Sequence, residues 1–189
     1  MVKQTLEEFK QIDVLVNNAI WMTEGLFIEQ NRDIWQKEVD VCFWGVINCT
    51  KAVLPHMVER KYGKIVNMGS DAARMGEYKE AVYAGTKGAV ISFSKSLARE
   101  LGRYGVNINV ICPGFTPPIS VEETSVDSCW SGVPYYLNPE TWEKAAKLYP
   151  LRRVGKAEDF VGPVLLLASD VSSWITGQTL SVDGGYTMI

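Results

Sequence analysis

The chain has 189 residues, 47% of them hydrophobic and 22% charged, with a formal net charge of -3. That length can bury one sizeable core, and the weak negative balance offers no basic stripe for nucleic acid. Cys42, Cys49, Cys112 and Cys129 make no C-x-x-C pair and His56 is the only histidine, which argues against a zinc site or a cysteine–histidine nucleophile and for reduced, mostly buried thiols.

Met1 to Gln11 is charged throughout and reads as neither a signal nor a transit peptide, and no apolar run approaches the roughly 18 residues of a membrane span. A cytoplasmic location is the default expectation. Val2, Leu6 and Phe9 stand at helical spacing, and Ile12 to Val16 is a compact apolar run suited to a buried parallel strand. Asn31 to Arg60 reads as one long helix with Trp35, Val39, Phe43, Val46, Ile47, Ala52 and Val53 on a broad apolar face, bent or ended by Pro55.

Gly63 to Met68 is the next strand, Ala81 to Leu101 a helix, and Val106 to Ile111 a third strand closed by Pro113-Gly114. Phe115 to Tyr149 has no clear period and is rich in proline and aromatic residues. Lys156 to Ala168 returns as a helix and Gln178 to Val182 as a last strand, followed by a Gly184-Gly185 turn. Strands alternating with helices predict an α/β fold: one domain over residues 1–189 with a doubly wound, Rossmann-like parallel sheet whose ligands bind beyond the carboxyl ends of the strands. Asn17, Ser70 and Pro113 all follow strands directly.

The chemistry concentrates in Gly69 to Lys87 (GSDAARMGEYKEAVYAGTK). Tyr83 and Lys87 are four apart, so on a helix they share a face. A phenol with a pKa of about 10 is too weak a base near neutrality, and a cation within roughly 4–6 Å favours the phenolate. Tyr83 then becomes a usable general acid/base, with Ser70 placed to hydrogen-bond the oxygen that exchanges the proton. Taken alone, a tyrosine four residues before a lysine is more often surface decoration.

Together with Asn17-Asn18-Ala19, Pro113-Gly114 and Val182-Asp183-Gly184-Gly185, in this order, these residues resemble the short-chain dehydrogenase/reductase family over essentially the whole chain. The resemblance implies an oxidoreductase using NAD or NADP that interconverts a secondary alcohol and a ketone. It carries over Ser70, Tyr83 and Lys87 as catalytic residues, and Asn17, Ala19, Tyr83, Lys87, Pro113, Gly114 and Thr116 as cofactor contacts. Residues 115–150 correspond to the family's substrate lid. Trp130, Tyr135, Tyr136, Trp142 and Tyr149 there suit a bulky or ring-bearing substrate, or else pack the lid on its own domain. The wording SDAARMGEYKEAVYAGTKGAV also resembles dehydrogenases of cyclic hydroxyacyl-CoA thioesters. The two long helices imply a homo-oligomer, dimer or tetramer, and the final segments a lid hinge and subunit contacts.

The chain departs from the family's pattern in several places. The T-G-x-x-x-G-x-G turn that receives the pyrophosphate is absent, and Met1 falls where the helix before the family's fourth strand would lie, so the domain is expected to be truncated at its N-terminus, with an apolar strand left as a sheet edge. Ile20 replaces the glycine of Asn-Asn-Ala-Gly, and Pro118 replaces a common threonine. Cys42 stands where the family usually has an asparagine holding a relay water, and is a weak donor and acceptor or a small buried filler. An active enzyme, a non-catalytic partner of a full-length relative, and an inactive gene fragment are therefore all open.

Overall fold

The computed structural model describes residues 1–118, 120, 128 and 137–189. Four strands form its centre: β1 (Val14–Asn17), β2 (Gly63–Met68), β3 (Val106–Pro113) and β4 (Thr179–Val182). They lie in the order β1-β2-β3-β4 and every pair is parallel. In register, Asn17 faces Asn67, Met68 faces Ile111 and Pro113 faces Val182, so the carboxyl ends of the strands open on one edge. The alternation of strand and helix in the sequence thus produces the expected α/β architecture.

Helices cover both faces because successive strand residues point to opposite sides. Ile65, Val106 and Ile108 pack on Val53 and Met57 of α3 (Gly45–Arg60) and Ala98 and Leu101 of α5 (Ala81–Leu101). Val66 and Ile111, turned the other way, meet Leu167 of α7 (Val161–Ala168). β1 is an edge strand within this chain, with Val14 and Val16 more than a third exposed, as the sequence reading expected.

The long helix differs from its prediction. Asn31 does cap it, accepting from the amides of Asp33 and Ile34 (both 3.1 Å), and α2 (Arg32–Val39) follows. A π turn at Asp40–Trp44 then joins α2 to α3. Pro55 neither ends nor breaks α3, which continues to Arg60. Pro55 is exposed, as is Lys51 one turn before it, so the carbonyl that loses its helical donor can be served by solvent. The run Arg32–Arg60 is also long and apolar enough, by length and composition, to cross a membrane, which corrects the expectation that no segment reaches that threshold. Val46, Val53 and Met57 spend part of that apolarity on burial within the domain.

α1 (Val2–Phe9) and the last strand fall where periodicity put them. The predicted helix over 156–168 is a 3-10 turn at Ala157–Phe160 followed by α7. Pro163 sits in the first turn of α7, where its missing N–H costs nothing. The predicted lid contains α6 (Pro139–Ala146), capped by Asn138. Trp130, Tyr135, Tyr136 and Cys129 lie outside the described residues. Cys42 and Cys112 are buried thiols, and Cys49 is half-buried.

Candidate active site

β2 ends at Met68 and the chain turns through Gly69, whose amide donates to Ile111 O (2.7 Å). That bond delivers Ser70 to the carboxyl edge of the sheet. Ser70 Oγ accepts from the amide of Ala72 (3.2 Å), a local turn that opens the short helix α4 (Ala72–Met75). This uses a lone pair of the hydroxyl and leaves its proton for an oxygen in the cleft.

α5 begins beside this turn with Glu80 at its N-cap. Tyr83 and Lys87 lie one above the other on its inner face, and both are buried. The ammonium of Lys87 donates to Met68 O (2.7 Å) and lies 5.8 Å from the centre of the Tyr83 ring. Burial pulls the Lys87 pKa down from the ordinary lysine range, while Cys42 and Cys112 act weakly the other way. A main-chain carbonyl at the end of β2 thus anchors the cation that sits beside the phenol.

These groups line a cleft of about 670 Å³. Ser70, Tyr83, Lys87, Pro113, Gly114 and Thr116, six of the residues singled out in the sequence, are on its wall. Asn17 and Ala19 are not. The Asn17 amide is turned into the sheet, donating to Asn67 Oδ1 (2.7 Å) and Thr50 Oγ1 (3.2 Å), and Asn67 passes the chain on to Ser94 (2.9 Å). Its neighbours Asn18 and Ile20 face the cleft instead. Asn17 therefore ties β1 to β2 and α5, and the next residues in the loop supply the surface.

Cys42 is fully buried in the π turn. Its thiol donates to Trp21 O (3.1 Å) and accepts from Trp21 N (3.4 Å), so it pins the loop that carries Ile20 and Met22. Burial raises its pKa. The position is thus occupied by a neutral thiol that holds a backbone.

Sequence reasoning missed the acidic part of the cleft. Glu80 and Asp71 both line it. Glu80 titrates at about 7, raised first by burial and then by Glu24, Glu77 and Glu38. Asp71 titrates at about 6, raised mainly by burial. Glu38, almost fully enclosed, accepts from the amide of Thr23 (3.0 Å), and burial lifts its pKa as well. The available signals were the placement of Asp71 next to Ser70 and of Glu80 one turn before Tyr83. Of the lid aromatics singled out, Tyr149 does line the cleft, and its partner there, Tyr186, was missed: the two rings pack with centres 5.0 Å apart and Tyr149 Oη accepts from the amide of Phe115 (3.1 Å).

Comparison with known proteins places this arrangement among enzymes. The family model described as enoyl-(acyl carrier protein) reductase matches residues 1–187. A 3-oxoacyl-[acyl-carrier-protein] reductase of Synechocystis is 36% identical over 189 residues, which are 100% of this chain and 70% of the relative. The 3-oxoacyl-[acyl-carrier-protein] reductase FabG of Thermotoga maritima is 33% identical over 185 residues, 98% of this chain and 70% of its own length. Among solved structures, ElxO with NADP bound superposes with a TM-score of 0.84 at 30% identity, over 98% of this chain and 71% of that one.

Proposed function

The chain belongs to the short-chain dehydrogenase/reductase family, a family of oxidoreductases, and on that footing we propose that it interconverts a secondary alcohol and a ketone with NAD or NADP, using Tyr83 as the general acid/base. The observation that carries this reading is the stacking of Tyr83 over a carbonyl-anchored Lys87 in the cleft that Ser70 also lines.

The residues present fit the nicotinamide end of such a cofactor. Lys87 has two ammonium protons beyond the one given to Met68, Pro113 and Gly114 form a close-packed turn at the cleft floor, and Thr116 is on the same wall. A bound nicotinamide supplies or accepts the hydride. Ser70 directs its hydroxyl at the substrate oxygen, and Tyr83 takes that oxygen's proton when the alcohol is oxidised and returns it when the ketone is reduced. The Lys87 ammonium stabilises the phenolate, the form of Tyr83 before it takes the proton and after it returns it, and would hold the ribose of the cofactor.

The substrate we infer is bulky or ring-bearing. Tyr78, Phe115, Tyr149, Phe160 and Tyr186 give the cleft aromatic walls suited to such a group. An acyl thioester, cyclic or of the 3-oxo type named for the relatives, fits this class. We place the protein in the cytoplasm, as a dimer or tetramer assembled through the Arg32–Arg60 run and α5, where Trp44 is half exposed.

A second reading, a non-catalytic partner subunit, draws on Cys42, whose thiol is committed to Trp21 where the family's asparagine serves a relay. Calorimetry with NAD(H) and NADP(H), followed by turnover of Tyr83→Phe, separates the two. An enzyme binds cofactor and loses about 10²- to 10⁴-fold in turnover on removal of the phenol, with its thermal midpoint kept. Turnover that survives the substitution overturns the assignment of Tyr83, and absence of cofactor binding supports the partner subunit.

A further inference from the structure

Behind Ser70 lies a group of buried polar side chains that the hydride-transfer reading does not use. Asp71 is 2% exposed and follows Ser70 directly. Its Oδ1 accepts from the hydroxyls of Ser181 and Thr187, the latter at 3.3 Å. Its Oδ2 is buried and receives no donor from the described residues. Asp183 stands beside it, since Thr187 donates its hydroxyl to Asp71 Oδ1 and its amide to Asp183 Oδ2, and each carboxyl perturbs the other's ionisation. Asp183 is already anchored, with Oδ1 accepting from the amide of Gly185 (3.0 Å) and Oδ2 from the amide of Thr187 (2.5 Å).

Two buried carboxylates cannot satisfy each other, because both only accept. One proton resolves the contact. If it rides on Asp71 Oδ2 it can be donated to Asp183, which retains spare lone pairs, and no buried acceptor is left unpaired. Asp183 is the worse proton carrier of the two, because two main-chain N–H groups stabilise its charge. Consistently, Asp71 is pushed up to about 6 and Asp183 is held below its usual range.

The pair lies where three strand ends meet. The Asp71 amide donates to Pro113 O (3.4 Å), the Gly114 amide to Val182 O (3.2 Å), and a side chain on Gly114 would strike Asp183 at 2.9 Å. The turns after β2, β3 and β4 are therefore packed around these two carboxyls. We propose that Asp71 is a positioning residue: a single proton held between its carboxyl and that of Asp183 locks together the three turns that floor the cleft, and so fixes Ser70 and Gly114.

The other titratable or charged groups facing Asp71 are few. From α4, Arg74 donates to Ser181 Oγ (2.5 Å) and to Ile189 O. From β3, the Cys112 thiol lies near and titrates at about 11, and from the aromatic wall Tyr149 senses the Asp71 charge. No cation among the described residues is paired directly with the Asp71 carboxyl, so loss of the shared proton sets two like charges against each other.

The sign follows from linkage. Asp71 ionises near 3.8 in the unfolded chain and at about 6 in the fold, so folding retains the proton and stability falls as pH rises across that window. Asp71→Asn copies the protonated acid, with an N–H in place of the O–H. Its folding equilibrium should gain on the parent by about 100-fold between pH 4 and pH 7, about tenfold for each unit of the shift, read from denaturant unfolding of the whole chain at each pH. Parallel pH profiles for parent and variant overturn the proposal.

A carboxyl carbon-13 titration of the unmodified protein gives an answer even if the variant does not fold. Titration of Asp71 near 6 supports the shared proton, and titration at the ordinary aspartate value overturns it. Both readouts are independent of hydride transfer, so a failure of that reading is seen separately, as absence of cofactor binding. Where turnover is measurable, Asp71→Ala should lower kcat with little change in KM, and Asp71→Asn should restore most of it.

Discussion

Replacing Lys87 by methionine should cost the protein its chemistry while leaving its stability unchanged or improved. Lys87 is 1% exposed, and its ammonium donates to Met68 O at 2.7 Å. The groups that favour its charge are Cys42 and Cys112, thiols whose own pKa values are raised and which are neutral at pH 7. Among the described residues no carboxylate pairs with it. The effective penalty for burying such an ion is several kcal/mol, whereas a hydrogen bond from a charged donor returns about 1.5–3 kcal/mol. Methionine fills the same volume, removes the penalty, and leaves one carbonyl unpaired at a cost of about 1–3 kcal/mol.

The net expectation for Lys87→Met is a change between zero and about 2 kcal/mol in favour of folding, with turnover down by at least about 10²-fold because the phenolate loses its cation. Urea unfolding at pH 7, paired with turnover, measures both. The pH dependence supplies a second check. A lysine whose folded pKa lies below its unfolded value carries its burial cost in full below the folded value and sheds it as pH rises from there to the unfolded value. The advantage of the variant should therefore shrink at alkaline pH. Lys64→Met is the control: Lys64 is also buried but donates to Asn107 Oδ1 at 2.8 Å and lies 3.8 Å from Asp170, so its loss should destabilise by about 1–3 kcal/mol without touching catalysis. A Lys87→Met protein less stable than the parent by more than about 2 kcal/mol, or a gap insensitive to pH, would refute the reasoning.

Two further substitutions test the site's surroundings. Glu80→Gln should gain stability over the parent as pH rises from about 4.5 to about 7, because Glu80 is raised to about 7 by burial and by Glu24, Glu77 and Glu38; a gap that is flat with pH counts against that crowding. Gly105→Ala should destabilise by roughly 2–4 kcal/mol, since Gly105 has a φ of 69° and an added Cβ would lie 2.4 Å from Lys61 O; a thermal midpoint within a degree of the parent's would show that the turn before β3 can yield.

Much of this protein could be read along the chain. Strand and helix positions follow from runs such as Lys64-Ile65-Val66 and from the inner stripe of Ala81 to Leu101, because burial on one or both faces writes its period into the residue order. The proximity of Tyr83 and Lys87 follows from helical spacing alone. Of the two outcomes expected at Pro55, an end is not what occurs: α3 runs on to Arg60, since Pro55 and Lys51 are exposed and solvent can serve the freed carbonyl, and exposure is a tertiary property.

Asn17 and Asp71 show the limit most clearly. Local position put Asn17 at a strand end beside the expected cofactor, yet its amide points across the sheet to Asn67, a residue 50 places away. Nothing in the local sequence marks Asp71 as buried, because the residues around it, Asp183 and Thr187, lie more than a hundred places on. Spacing along a helix is set by covalent geometry, so the sequence by itself determined the fold class and the tyrosine–lysine pair. Burial and charge pairing depend on which distant segments the sheet brings together, so only the tertiary structure decided where Asn17 points, which carboxyls share a cleft and which of them holds a proton.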